Sequence, residues 1–537
     1  MKKLSWARSA VSRPARLWVF TVLVFCFTGG PLRSGEALPA PGEQPPAHEN
    51  AAGESFPDTT VYVVRNITFS RTGITRISAL LYHGHLKTGE RITGLRNFER
   101  YIQRRRQFLI NQRPLETAEI VWSTGEREED GAVPVDLLVI TRDSFNYFIF
   151  PKPLVDSNSG LDITLKARNY NFLGTLNPLR IDLGYALDYT RREKSTFSDG
   201  TFTFLLDSDT PIRLLNLDFN IDFDHEFKFT PNNPFYYQNI TGLSVALPVS
   251  FTTATIGLRQ ITTLNEDNER VYTYDGWRLY GGQFEPAYTT TEVFTSWSIP
   301  TPLEVGDFGS LTYSPRLSGR VSYRPGSSGW DPGELRRGII ASFGHQIGFG
   351  QIDWRENFRQ GLQASISNSI SYNINKSDFS AQAGVTAAGH LSITRFFGAS
   401  GRVRYNRILA GAVDHYAGEV IRGIIDKNIQ TGSIFSLNAD FPFQALLFRP
   451  SRWFKKSALR FFDFELHLAP IFDAVLYQDP ADDGFTGEAA AGIEIIVFPF
   501  FIRRLYIRAS FAASLRDIAA SGRIGEYEYF IGLEHHY

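Results

Sequence analysis

Cysteine is almost absent from this chain: among 537 residues the only one is Cys26, in the N-terminal leader. A mature chain without thiols excludes structural disulfides, thiol catalysis and thiolate metal sites, and it suits an oxidising cell envelope. Excess charge is missing as well. A formal net charge of −1 leaves no footprint for nucleic acid, so no nucleic-acid partner is expected. After the leader, no stretch approaches the roughly 20 consecutive apolar residues that a membrane-spanning helix needs. There is no Gly-x-Ser-x-Gly elbow and no Walker-type phosphate loop. Histidines come close together only as His83 with His85 and His535 with His536, and no third ligand accompanies either set. The sequence therefore predicts no enzyme and no cofactor or metal.

What is present is aromatic and alternating. Phe and Tyr are abundant, yet the mean hydropathy is −0.18. That combination fits a soluble β protein, or a membrane β-barrel whose strands are apolar on one face only.

Residues 1–37 read as a signal peptide: Lys2, Lys3, Arg8, Arg13 and Arg16 precede the apolar run LWVFTVLVFCF, and Gly35-Glu36-Ala37 is a small-x-small cleavage site. The run is too short to span as an anchor, and bulky Phe25 beside Cys26 argues against a lipoprotein signal. Residues 38–57, rich in Pro, Gly, Ala and Glu, are expected to be a disordered linker.

Residues 58–143 predict a small mixed domain in the order β, α, α, β, β. TVYVVRNITF, TAEIVWS and VPVDLLVIT are β-branched strands, and Leu95, Phe98, Ile102 and Leu109 fall near helical spacing. Arg104, Arg105 and Arg106 read as a solvated helix face.

From residue 144 to 537 the chain alternates strictly. Leu161, Ile163 and Leu165 interleave with Asp162, Thr164 and Lys166, and Phe219, Ile221 and Phe223 interleave with Asn220, Asp222 and Asp224. So many polar residues on one face cannot line a dry core without a large desolvation cost; they suit a water-filled lumen with the apolar face in lipid. The runs parse as sixteen to eighteen strands. The last places Tyr527, Tyr529, Ile531, Leu533 and Tyr537 on one face and is weakened at Gly532. The first, near FNYFIFPKP, contains Pro151 and Pro153, which either make a faulty seam or simply end the strand.

One long segment breaks the alternation. Between Gly411 and Thr431 it carries Ile421-Arg422-Gly423-Ile424, and roughly fifty residues later Asp473 follows Phe472 on the polar face of FDFELHLAPIFDAV. I-R-G-I resembles the [VI]-R-G-[FY] loop motif, F-D-A-V the F-x-D-x-G strand motif, and Asn171 to Thr175 the N-[FL]-[LF]-G-T turn of the outer-membrane protein assembly and transport barrels. That superfamily includes the BamA and TamA types, the two-partner secretion transporters and the bacterial surface antigens. Two positions depart from its pattern: Ile424 stands for an aromatic and Val475 for a glycine. The upstream domain is similar to the family's polypeptide-transport-associated (POTRA) domain.

The resemblance implies one POTRA domain followed by a 16-stranded transmembrane antiparallel β-barrel in the bacterial outer membrane, with the POTRA domain in the periplasm. It further implies that loop 411–431 folds into the lumen with Arg422 and Gly423, and that Arg422 pairs with Asp473. Glu494 also faces inward by parity, because Ile493, Ile495 and Val497 occupy the other face of GEAAAGIEIIVF, so it is a second candidate acceptor. Asn171 and Gly174 shape the family turn, and the aromatic C-terminal strand ending at Tyr537 is the family's assembly signal. The expected function is insertion or translocation of polypeptides, with outer-membrane lipid, unfolded outer-membrane or secreted polypeptides, and periplasmic accessory proteins as partners. Clients would add as strands to an open POTRA edge, unless that domain only scaffolds a partner. A dedicated two-partner-type transporter and a passive porin are the alternatives.

Overall fold

The computed structural model describes residues 59–533, except 157–159, 188–199, 215–216, 230, 232–234, 268–270, 274–275, 279–283, 286, 325–337, 412–414, 417–419, 425–429 and 479–483. The segments expected to be signal peptide and linker, and Tyr537, lie outside the described residues.

The N-terminal domain runs β1 (Val61–Thr72), α1 (Ile77–His83), β2 (Arg91–Thr93), α2 (Leu95–Asn111), β3 (Leu115–Thr124) and β4 (Val133–Asp143). The sheet order is β2-β1-β4-β3, with β1 parallel to β4 and the other pairs antiparallel. A parallel pair needs a crossover, which the two helices supply. Alternation in β1 and β4 buries Tyr62, Val64, Val135, Leu137 and Val139 under Phe98, Ile102 and Leu109 of α2. Phe98 stacks on Tyr62 with ring centroids 5.1 Å apart. Strand β2 is additional to the sequence expectation, because three residues are too few for a period to register. The arginine cluster is not simply solvated: Arg105 pairs with Glu90 at 3.4 Å and Arg106 Nε donates to the Ala118 carbonyl at 3.2 Å.

The remaining strands close into one antiparallel barrel. They are β5 (Tyr147–Asp156), β6 (Gly160–Asn169), β7 (Leu179–Leu187), β8 (Thr201–Leu214) and β9 (Leu217–Phe229). Next come β10 (Tyr236–Val249), β11 (Thr252–Leu264), β12 (Tyr288–Glu304), β13 (Ser310–Tyr323) and β14 (Ile339–Arg355). Then follow β15 (Phe358–Asn373), β16 (Asp378–Thr394), β17 (Phe397–Ala410), β18 (Ser433–Asp440) and β19 (Phe443–Phe448). The last are β20 (Phe464–Gln478), β21 (Phe485–Pro499), β22 (Ile507–Ser514) and β23 (Tyr527–Leu533), and β23 lies beside β5.

Both β18 and β19 sit between β17 and β20, so they are two halves of one stave, interrupted at Phe441 and Pro442. The barrel therefore has eighteen staves among the described residues, a correction to the sixteen expected. Only Pro442 splits a stave; every other alternating run crosses once and has its own turn, so the extra strands are real crossings.

Outward positions are apolar and exposed, among them Ile163, Leu183, Leu258, Val293, Ile366 and Ile493. A girdle of that extent is the face of a barrel that sits in lipid. Inward positions are polar and tied across staves: Arg180 to Asp207 at 2.9 Å, Arg259 to Asp222 at 2.9 Å and Arg316 to Glu292 at 3.0 Å.

At the seam, β5 continues through both prolines, with Pro151 opposite Leu165 and Pro153 opposite Ile163, so they do not end the strand. Being two residues apart, they withhold donors from the same neighbour. Gly532 is not left bare, since the ring of Phe530 occupies the space a Cβ would take.

Candidate functional site

The segment at residues 420–424 lies on the inner face of the wall made by β18 and β20–β23. Small residues make room for it: Ala490, Ala512 and Ala513 are buried there. Ile421 and Ile424 fill an apolar cluster with Ile434, Val475, Tyr477 and Ala490. Asn438 Nδ2 donates to the Val420 carbonyl at 2.8 Å. The two departures from the family pattern thus meet in one cluster. Ile424 is smaller than the aromatic it stands for, and Val475 is larger than glycine, so the volume is approximately conserved.

Between those anchors stands Arg422, 5 % exposed, opposite Asp473, 1 % exposed. Its Nε donates to Asp473 Oδ2 at 2.8 Å and its Nη2 to Oδ1 at 2.7 Å, a bidentate fork. The Arg422 backbone N–H also donates to Asp473 Oδ2, at 2.8 Å. Nη2 lies 2.7 Å from Asp440 Oδ1, and Nη1 lies 3.5 Å from Glu494 Oε2. Glu494 is in turn held by Arg508, whose Nε donates to Oε1 at 2.9 Å and whose Nη2 donates to Oε2. Two cations and three carboxylates therefore form one buried network, which offsets the desolvation of each only while all are present.

Gly423 closes the device. Its φ is +94°, and a Cβ would sit 2.9 Å from Ala490 Cβ and 3.0 Å from the backbone of Ala512 and Ala513, so a side chain is excluded by conformation and by space. Its N–H donates to Glu528 Oε2 at 2.9 Å. Glu528 belongs to β23, so the loop is tied to the strand that forms one side of the seam. Tyr527, Tyr529 and Ile531 face outward on that strand, and Leu533 ends it.

The structure brings together Arg422, Gly423, Asp473 and Glu494. Arg508, Asp440 and Glu528 join them without having been singled out from the sequence. Each alternates with apolar or aromatic neighbours, Asp440 with Ala439 and Phe441, Arg508 with Ile507 and Ala509, Glu528 with Tyr527 and Tyr529, so parity turns all three inward, while only the closure of the barrel brings Glu528 to the loop.

The turn at 171–176 does different work. Asn171 is fully buried; its Nδ2 donates to Thr75 Oγ1 at 2.8 Å and to Asp143 Oδ2 at 3.2 Å, while its Oδ1 accepts from Leu176 N at 2.8 Å. Asp143 also accepts from the backbone of Ile74 and Thr75, at 2.8 and 3.0 Å. Gly174, at φ +75°, brings its backbone so near that a Cβ would lie 2.3 Å from the Ile74 carbonyl oxygen, and Arg76 N donates to Gly174 O at 2.9 Å. His83 Nε2 meets the Thr175 carbonyl at 3.0 Å, and burial pushes its pKa down. These two sequence-predicted residues therefore clasp the N-terminal domain onto the barrel.

A second tie lies after α2. Arg113 is buried; its Nη2 donates to Asn357 Oδ1 at 3.1 Å, its Nε to the Arg503 carbonyl, and its guanidinium lies 4.1 Å from the ring centroid of Trp354. Burial, with Arg503 close by, pushes its pKa down to about 9. From the same turn, Asn357 Nδ2 donates to Glu465 Oε2 at 3.1 Å, and Phe358 stacks on His467 at 4.6 Å.

No family model matches the chain, and no curated protein does. Among solved structures it is similar to CdiB from Acinetobacter baumannii, at 11% identity over 88% of this chain and 74% of that one, with a TM-score of 0.45. It is similar also to CdiB from Escherichia coli, at 10% identity, 91% and 93% coverage and a TM-score of 0.37. A third is BamA from Haemophilus ducreyi lacking POTRA domains 1–3, at 13% identity, 87% and 84% coverage and a TM-score of 0.35.

Proposed function

We propose that this chain is an outer-membrane barrel that inserts or translocates polypeptides, with its N-terminal POTRA-type domain in the periplasm and no nucleotide hydrolysis. The observation that carries the reading is the Arg422 fork on Asp473, with Gly423 bonded to Glu528 of the closing strand. A loop fixed to the inner wall beside the seam couples what occupies the lumen to the strand that must part for a client to leave sideways. The outer edge of β3 from residue 120 to 124 is the candidate docking strand, since β3 pairs only with β4 in the sheet and its earlier carbonyls, Glu116 and Ala118, already accept from Arg503 and Arg106. Backbone hydrogen bonds there would accept an extended client with little sequence preference.

Depleting the protein from its host and following other envelope proteins by mass spectrometry tests this. A general loss of barrels fits an insertase, and loss of one exported protein fits a dedicated transporter. If neither falls, polypeptide handling is rejected. For a passive porin, planar-bilayer conductance would be large and unaltered by Arg422→Ala; for the proposed function it rises when the brace is cut.

A further inference from the structure

The apolar girdle does not stop at the barrel. At the end nearest the N-terminal domain, Leu173 in the clasp turn and Ile212 and Leu214 at the tip of β8 are exposed. Against them lies α1, held there by Arg76 N on Gly174 O and by His83 on Thr175 O. Ile74, Ile77 and Tyr82 of this segment are exposed as well. A surface segment of a water-soluble domain has no reason to present three large apolar side chains together with those of a lipid-facing hairpin.

Between the two surfaces is a recess of about 80 Å³, lined by Arg76, Ser78 and Tyr82 on one side and by Thr175, Ile212 and Phe219 on the other, with Arg213 and Asp218 paired at its edge at 3.7 Å. Ile212 and Phe219 pair across β8 and β9 on the outward face, so the recess opens beside the lipid girdle. Arg76 is exposed, and among the described residues its guanidinium meets no side-chain partner. Asp218 is met by Arg213, so Arg76 is the cation left over beside hydroxyl groups and apolar walls, which suits the phosphate of a phospholipid headgroup.

We propose that the α1 face of the N-terminal domain is a membrane-contact surface: Ile74, Ile77 and Tyr82 rest in the interface of the adjoining leaflet, and Arg76 binds the phosphate of an anionic phospholipid. The occupant is lipid because the patch is continuous with a surface already committed to lipid. Such a contact would fix the height of the domain against the bilayer.

This inference rests on the barrel being embedded in a membrane, which heat-modifiable mobility on gels reports separately in every sample. The only cysteine is Cys26 in the expected leader, so in the chain from residue 38 onward Ile77→Cys, Tyr82→Cys and, as a water-facing control on α2, Arg100→Cys each carry one nitroxide. In vesicles of phosphatidylethanolamine with phosphatidylglycerol, the ratio of oxygen to nickel-chelate accessibility is expected to be about threefold higher at 77 and 82 than at 100, as for residues at interfacial depth. Equal ratios at all three positions in correctly folded samples overturn the proposal. Arg76→Gln in the Ile77→Cys background is expected to lower the ratio about twofold in phosphatidylglycerol vesicles and to leave it unaltered in phosphatidylcholine vesicles. No change in the first would reject the headgroup site. Native mass spectrometry of the unlabelled protein provides an independent reading: retained phosphatidylglycerol that Arg76→Gln removes supports the site, and identical retention by both chains counts against it.

Discussion

The wall formed by β18 and β20–β23 and the wall formed by β6–β12 share one strand pattern and behave differently. In β20 every second residue from Glu465 to Tyr477 is buried, charged ones included. In β9 the corresponding residues, Asp218 to Glu226, are only half-buried. The alternation is the same, so strand pattern did not make the difference. The first wall is covered by the returning segment 420–424 and by the turn at Asn357 and Phe358, while the second faces a wet lumen. An ion pair such as Arg259 with Asp222 sits in water that would solvate either partner alone. Arg422 and Asp473 have no such alternative, and that asymmetry should decide how each wall responds to mutation.

The sharpest way to break the comparison is to remove one cation from each wall. Arg422→Ala leaves Asp473, Asp440 and Glu494 facing one another around Arg508 and is expected to cost about 3–5 kcal/mol, read as a lower unfolding midpoint and faster amide exchange at 420–424. Arg259→Ala is expected to cost no more than about 0.2–1 kcal/mol by the same measurements. Equal losses would mean that the two walls are not different environments.

Next in size is Gly423→Ala. The positive φ and the 2.9 Å approach to Ala490 both oppose a methyl group, so about 1–3 kcal/mol of destabilisation is expected, with exchange increased at β23 through the lost bond to Glu528. A glycine without such neighbours, such as Gly319 on the outward face of β13, has nothing within 4 Å of a built Cβ and should tolerate alanine.

A smaller and more discriminating effect concerns the cluster beneath the loop. Ile424→Phe overpacks it and Val475→Gly leaves a void, each costing about 1–3 kcal/mol, whereas the double variant should cost less than the sum. Additive losses in a double-mutant cycle would show that the two positions do not share a space.

The smallest expected effect is on the junction rather than on either wall. His83 has its pKa lowered in the folded protein by burial, with His85 and Arg504 adding repulsion, although the bond to Thr175 opposes this. The unfolded chain therefore takes up a proton first as pH falls. Docking should be complete above the ordinary histidine value of 6.5 and weaken below it, by direction alone. Limited proteolysis across pH 8 to 5 checks this, and His83→Gln should flatten the profile.

Much of this was legible in the sequence because a barrel strand records its environment every two residues. Phe219 to Asp224 announced both faces, and parity alone placed Asp473 and Glu494 inward. The small residues of GEAAAG and FAAS were also visible, although only the packed loop explains them. Asn171 and Gly174 were recognisable as a turn, but not as the clasp for a domain about 100 residues upstream, since nothing local marks Thr75 or Asp143 as their partners.

By itself, then, the order of amino acids determined the two-faced strands, the small α/β unit ahead of them and the one arginine that breaks the pattern, because each depends on periodicity or on a residue's own chemistry. Closure decided the rest. The count of eighteen staves, the meeting of Gly423 with Glu528 and the seat of Arg113 on Trp354 all join residues distant in sequence. Such contacts are fixed by the geometry of a closed sheet, which no local stretch of the chain encodes.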